Sequence, residues 1–149
     1  MTAKQEWQLL AHPEFLAAQL RYYEDFKSAA SKFGEDARKT TPAKKLKYLI
    51  ALTRDIIPEN PANQAFLLGD TLGENYRHWR RAKFLQQYRI FFRYSSNIST
   101  IIYGWVNDSE TLRAYGSKTD AYVVFRKMLE SGRMPNSWEE LMQEAKRIS

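Results

Sequence analysis

Between Asn75 and Asn107 the chain carries six basic side chains, Arg77, Arg80, Arg81, Lys83, Arg89 and Arg93, and no acid. The same stretch has the strongest strand character in the sequence. Tyr88-Arg-Ile-Phe-Phe-Arg-Tyr94 alternates, with Tyr88, Ile90, Phe92 and Tyr94 on one face and Arg89, Phe91 and Arg93 on the other. Trp79 to Phe84 sets Ala82 and Phe84 against Arg81 and Lys83, and Thr100–Val106 is β-branched and aromatic. Leu85–Gln87 and Ser95–Ser99 have hairpin-loop lengths, so the three strands should be antiparallel neighbours. Such a sheet has one apolar face and one cationic face. Unpaired charge is costly to bury, so the first face needs a cover and the second should meet solvent or an anionic partner.

The flanks supply helices. Trp7–Ala11 can form a short strand, and His12-Pro13 opens a helix with Phe15, Tyr22, Phe26, Ala29 and Phe33 along one side, closed by Gly34. Thr41-Pro42 opens a second, with Leu46, Leu49, Ile50, Thr53 and Ile57 as its buried stripe, Lys44, Lys45 and Lys47 on solvated sides, and Pro58 as its stop. These two read as an antiparallel pair on the apolar sheet face. Turn-rich connections follow at 58–63 and 69–75. Beyond the strands, Thr119 or Asp120 caps a helix carrying Tyr122, Phe125, Met128 and Leu129, ended by Gly132. Ser137-Trp-Glu-Glu140 is a capping box for a last short helix with Leu141 and Ala145. The fold class is α+β, with residues 1–149 as a single domain.

The regions on either side of the strands are each charge-neutral, so the net +6 of the 149 residues resides in the strand region. A hydrophobic content of 44% with 14% aromatics excludes a disordered or low-complexity chain. The absence of cysteine excludes disulfide frameworks, thiolate metal sites and cysteine nucleophiles, and His12 and His78 alone do not build a zinc site. No apolar run approaches a membrane span, and Met1–Trp7 is too polar for a signal peptide, which implies a cytoplasmic protein.

A face of Arg81, Lys83, Arg89 and Arg93, interleaved with Phe91 and with Tyr103 and Trp105 from the next strand, suits single-stranded nucleic acid and RNA above all: guanidinium groups for phosphates, rings for splayed bases. The plainer alternative is a solvated surface whose cations pair with acids elsewhere. RNA can be cut without metal when its own 2′-hydroxyl attacks the adjacent phosphate, given a base, an acid and cations for the charge that develops. No carboxylate cluster has the pattern of a two-metal nuclease, so no cofactor is expected. Arg81 and Arg89 are candidate phosphate clamps and Lys83, crowded by arginines, a candidate base. Arg80 and Arg93 are candidate RNA contacts. In the polar segment 107–120, Tyr115 is a candidate for proton transfer, and Arg113 and Lys118 add phosphate contacts; each can equally be a structural loop residue. His78 is the only histidine near the cluster, and a surface histidine is more often incidental. Trp79, Trp105 and the Tyr88/Phe92 stripe read as core.

Several blocks resemble the YhaV toxins, a branch of the RelE/ParE toxin superfamily: Ala11-His-Pro-Glu-Phe15, Leu72-Gly73, Trp79-Arg-Arg-Ala-Lys-Phe84, Tyr88-Arg-Ile-Phe-Phe-Arg-Tyr-Ser95 and above all Gly104–Tyr122, continuing through Val124–Leu129 to Trp138-Glu-Glu-Leu141. The resemblance implies the toxin of a type II toxin–antitoxin pair, an endoribonuclease that cleaves mRNA, often at the ribosome. It implies a RelE-like fold of two helices packed on a curved antiparallel sheet. It also implies an active face of strand arginines and lysines, without metal, here Arg81, Lys83 and Arg89, with Asn107, Arg113 and Tyr115 where a last contributor is expected. The implied partner is a PrlF-like antitoxin, an AbrB-type swapped-hairpin dimer that blocks the toxin and binds operator DNA. One departure is the glycine-free turn Leu85-Gln-Gln87, where the family carries glycine. Alternatives to the nuclease are a non-catalytic module binding RNA or protein, and a ParE-like gyrase inhibitor.

Overall fold

The computed structural model describes residues 6–148, so residues 1–5, where most of the polar start lies, fall outside it. The helices begin where capping chemistry places them. His12 caps α1 (Pro13–Phe33), its Nδ1 accepting from the Glu14 amide at 3.1 Å. The cap of α2 (Thr41–Ala51) is Thr40 rather than Thr41, its hydroxyl accepting from Ala43 N. α2 runs on through a π-helical turn, Leu52–Ile56, into a last turn containing Pro58. Asp120 caps α3 (Ala121–Glu130) and Ser137 caps α4 (Trp138–Glu144). No helix among the described residues is long and apolar enough to cross a membrane.

Five strands, β1 (Gln8–Ala11), β2 (Arg80–Phe84), β3 (Tyr88–Ser95), β4 (Thr100–Val106) and β5 (Lys146–Arg147), form one sheet in the order β2-β3-β4-β1-β5. The β2-β3-β4 meander is antiparallel as expected. The sheet as a whole is mixed, because β1 pairs parallel with β4 and β5 returns antiparallel to β1. A bulge at Phe91/Phe92 interrupts the β3–β4 register.

α1 and α2 bury one face over Phe15, Tyr22, Leu46, Leu49, Ile90, Phe92 and Tyr103. Lys45, expected on a solvated side, is 6% exposed, its ammonium 4.7 Å and 4.8 Å from the Tyr22 and Tyr88 ring centres, and burial pushes its pKa down. The second face overturns the expectation of an open cationic surface. α3 and α4 cover it: Phe91 stacks on Phe125 at 4.2 Å between ring centres, Trp105 lies parallel to Phe125 at 6.1 Å, and Trp79 meets Phe125 edge-on at 5.0 Å. Phe91 and Tyr103 are fully buried and Trp105 nearly so, which removes all three as stacking platforms for bases. Trp79, Trp105, Tyr88 and Phe92 are core, as read from the sequence. Gly104 makes the close packing possible, because a Cβ there would stand 2.8 Å from the Trp79 ring. The molecule therefore has three layers, helices on both sides of the sheet.

Candidate active site

Covering the second face leaves the cations only at its margins, and the β2–β3 hairpin decides which of them meet. Arg81 lies opposite Phe91 and Lys83 opposite Arg89. Like charges directly across a strand pair are destabilising, so the Lys83–Arg89 juxtaposition is not a feature that folding alone favours. Leu85 and Gln86 take positive φ angles of 44° and 66°, a left-handed turn made without glycine. That turn aims the Gln86 carbonyl at Arg89, whose Nη1 donates to Gln86 O at 2.7 Å and Tyr88 O at 2.9 Å. Left-handed backbone costs an L-residue roughly 1–2 kcal/mol. Gln86→Gly should therefore raise the unfolding free energy by about 1 kcal/mol, measured by denaturant titration, while leaving the Arg89 contacts in place.

Tyr122, in the first turn of α3, is the centre of the site. Its hydroxyl oxygen accepts from Arg81 Nε at 3.0 Å and from Arg89 Nε at 3.1 Å. Arg113 lies over the same ring, 4.7 Å from its centre. Arg81 Nη1 is fixed by the Ala65 carbonyl at 2.8 Å, and Arg113 Nη1 by Asp120 Oδ1 at 2.8 Å. Asp120 is saturated: Oδ1 also takes the Ala114 amide, and Oδ2 takes the amides of Tyr122 and Val123. Three guanidinium groups thus surround one phenol, with a single carboxylate that is spent on capping α3 and holding Arg113. Each arginine is bound through Nε or Nη1, and no bond to Nη2 of Arg81, Arg89 or Arg113 is found among the described residues. Fixed cations with spare donors form a preorganised anion site.

Beside the cluster, Tyr122 and Arg113 also line an open cleft of about 410 Å³, with Tyr115, Lys118 and Arg126 on its walls. Tyr115 is 94% exposed, its ring 5.8 Å from the Arg113 guanidinium. Lys118 is exposed at the rim, and Lys83 is exposed on β2.

The structure thus brings together Arg81, Lys83, Arg89 and Arg113, with Tyr115 and Lys118 at the adjoining cleft. It separates others. Arg80 points to the opposite face of β2, over the Tyr94 ring. Arg93 sits at the far end of the second face between Trp79 and Trp138, donating to Asn136 O at 2.7 Å. His78 is at that same end, bonded to Asn136, and burial and Arg93 lower its pKa. Asn107 is fully buried, which takes it out of reach of RNA. Its Oδ1 accepts the Arg89 amide at 2.7 Å, its Nδ2 donates to Gln87 O and Thr111 O, and its carbonyl accepts from Tyr22 OH. It is a strut that ties Arg89, the hairpin turn, the loop leading to Arg113 and α1 together. Tyr122 is the residue that sequence reasoning assigned only to a helix stripe. Its signal was the one hydroxyl in an otherwise apolar stripe, since a buried tyrosine needs a partner for its oxygen.

Residues 9–146 match the YhaV toxin family, described as a toxin with endonuclease activity, of a toxin–antitoxin system. The chain belongs to the YhaV toxin family. It is 41% identical over 140 residues to Toxin YhaV of Escherichia coli O6:H1 strain CFT073, and 40% identical over 140 residues to Ribonuclease toxin YhaV of Escherichia coli strain K12. Each alignment covers 93% of this chain and 91% of the relative. No solved structure matches the fold. A YhaV-family toxin is an endonuclease with an antitoxin partner, and the α+β architecture, two helices on one face of a mixed five-stranded sheet with C-terminal helices behind, is consistent with a RelE-like toxin.

Proposed function

We propose that this toxin cleaves mRNA without a metal, by in-line attack of a 2′-hydroxyl on the adjacent phosphate at the Arg81–Arg89–Tyr122 cluster. The observation that carries the proposal is the double donation to the Tyr122 oxygen. With both lone pairs engaged, the phenol has only its proton left to offer, and it offers it where guanidinium donors can hold a phosphate. In the reaction, Lys83 is the base that takes the 2′-hydroxyl proton as the 2′-oxygen bonds to phosphorus. The P–O5′ bond breaks, and Tyr122 gives its proton to the departing 5′-oxygen. The products are a 2′,3′-cyclic phosphate and a 5′-hydroxyl, and solvent returns the proton from Lys83 to Tyr122. Arg81 and Arg89 hold the non-bridging oxygens, Arg113 and Lys118 the neighbouring phosphates. Tyr115, free at the cleft rim, is better placed to stack on a base than to move a proton.

The remaining parts of the proposal are a single domain over 1–149, a cytoplasmic site of action, cleavage at the ribosome, and a PrlF-like antitoxin that also delivers the complex to operator DNA. A defined RNA incubated with the toxin in EDTA, with and without ribosomes, is the test. Cleavage should persist in EDTA, fall with Arg81→Ala, and binding should weaken with salt, with a log–log slope of about −0.7 per phosphate contact. RNA that stays intact at every protein excess would refute the nuclease reading, and a flat salt response would refute phosphate recognition.

A further inference from the structure

The cleft beside Tyr122 has a wall that the nuclease reading leaves unused. Arg126 reaches it from α3, four residues beyond Tyr122 and so about one turn along the same side of the helix. The cleft volume of about 410 Å³ lies in the range of roughly 300–1,000 Å³ that holds small ligands. Tyr115 brings to it an almost wholly exposed ring, with the Arg113 guanidinium 5.8 Å from the ring centre. The charged groups around this space are mostly donors. Arg126 gives its Nε to Glu130 Oε1 at 2.8 Å, and no bond to its Nη1 or Nη2 is found among the described residues. Glu130 thus holds the guanidinium through Nε and leaves the Nη1/Nη2 edge of the fork for a ligand. Asp120, a carboxylate in the cleft wall, is spent on Arg113 and on three backbone amides. The Tyr122 oxygen is taken by Arg81 and Arg89. With Arg113 and Lys118 assigned to phosphates, Arg126 is the cleft cation left to read a base.

A ring that can stack and a two-donor fork on the same cleft describe a base with two adjacent acceptors on one edge. Guanine presents O6 and N7 in that arrangement. Adenine sets the N6 amino donor beside N7, and a donor facing a guanidinium donor is unfavourable. Cytosine has adjacent acceptors at N3 and O2, but its single ring covers less of Tyr115. We propose that the cleft is a guanine site, in which the base stacks on Tyr115 and Arg126 reads its O6 and N7. The proposal rests on the nuclease reading of the Arg81–Arg89–Tyr122 cluster and gives that reading a substrate class, RNA with guanosine at the cut site. Tyr122 and Arg113 belong to both the cluster and the cleft, so the base that is read belongs to a nucleotide beside the scissile phosphate.

The test uses the full-length toxin and a uridine-rich RNA with a single internal guanosine, beside the same RNA carrying adenosine, cytidine or 7-deazaguanosine at that position. Cleavage at the bonds flanking the position should be about tenfold faster, as kcat/KM, for guanosine than for adenosine. The 7-deazaguanosine RNA, which lacks the N7 acceptor, should fall toward the adenosine rate. Arg126→Lys keeps the charge and loses the fork, at an exposed position where the fold is not at stake. It should bring the guanosine-to-adenosine ratio to about one, with the salt slope of RNA binding as in wild type. A merely structural residue or a phosphate contact would change both substrates alike and keep the ratio. A ratio near one in the wild-type toxin, a preference for cytidine, or a ratio that Arg126→Lys leaves in place would overturn the proposal. If the wild-type toxin cuts none of these RNAs, the nuclease reading fails, and equilibrium binding of the same set still decides the guanine site by the same ratio.

Discussion

Arg89→Ala is expected to lower the RNA cleavage rate by about 10²–10³-fold, the usual loss when one preorganised donor to a developing oxyanion is removed. Arg89 is 6% exposed, and its guanidinium is fixed by Gln86 O, Tyr88 O and the Tyr122 hydroxyl rather than by a carboxylate. Its charge is therefore not neutralised by the fold. Lysine should rescue little, because a single ammonium cannot bond two carbonyls and the phenol while offering a further donor to phosphate. The variant also leaves buried carbonyls without a donor, at roughly 1–3 kcal/mol of stability. The diagnostic readout is therefore the salt dependence of RNA binding, whose slope should fall by about 0.7. A variant that unfolds more readily but keeps its slope and rate would make Arg89 purely structural.

Tyr122→Phe should have the second large effect, about 10²–10³-fold on kcat, because the ring remains in place while the transferable proton is lost together with the oxygen that accepts from Arg81 and Arg89. Tyr115→Phe should be close to wild type. Tyr115→Ala should chiefly raise KM, by roughly 5–150-fold if one base stacks on the ring at ~1–3 kcal/mol. Single-turnover kinetics at saturating RNA separate the two tyrosines. The reverse pattern, with Tyr115→Phe inactive and Tyr122→Phe active, would move proton transfer to the cleft rim.

Much of this architecture is legible in the residues. Pro13, Pro42, Asp120 and Ser137 mark helix starts to within a residue, because cap chemistry is local. The alternation in 88–94 pairs Lys83 with Arg89 as soon as the hairpin is placed. Three features were not legible, and each depends on distant chain. The parallel β1–β4 pairing sets Gln8 beside Thr100, segments far apart in the chain. β5, two residues long, carries no pattern of its own. The cover on the second face needed Phe125 to meet Phe91, and the stripe Tyr122-Phe125-Met128-Leu129 says that α3 is buried without saying on what. Sequence alternation put four cations on one face. Packing then split them: Arg93 became a brace for α4, and Arg81, Lys83 and Arg89 stayed at the margin where α3 begins. The buried role of Asn107 was hidden for the same reason, since its partners lie on β3, the hairpin turn and the loop before Arg113.

The most direct test of the central claim is cleavage of a defined RNA in EDTA beside the same RNA with a single 2′-deoxy nucleotide immediately 5′ of the scissile phosphate. Attack by the 2′-hydroxyl at the Arg81–Arg89–Tyr122 cluster predicts that the all-ribose RNA is cut, leaving a 2′,3′-cyclic phosphate and a 5′-hydroxyl, and that the deoxy substrate is not cut at that bond. Cleavage of the deoxy substrate there, or cleavage that stops in EDTA and returns with a divalent ion, would contradict it.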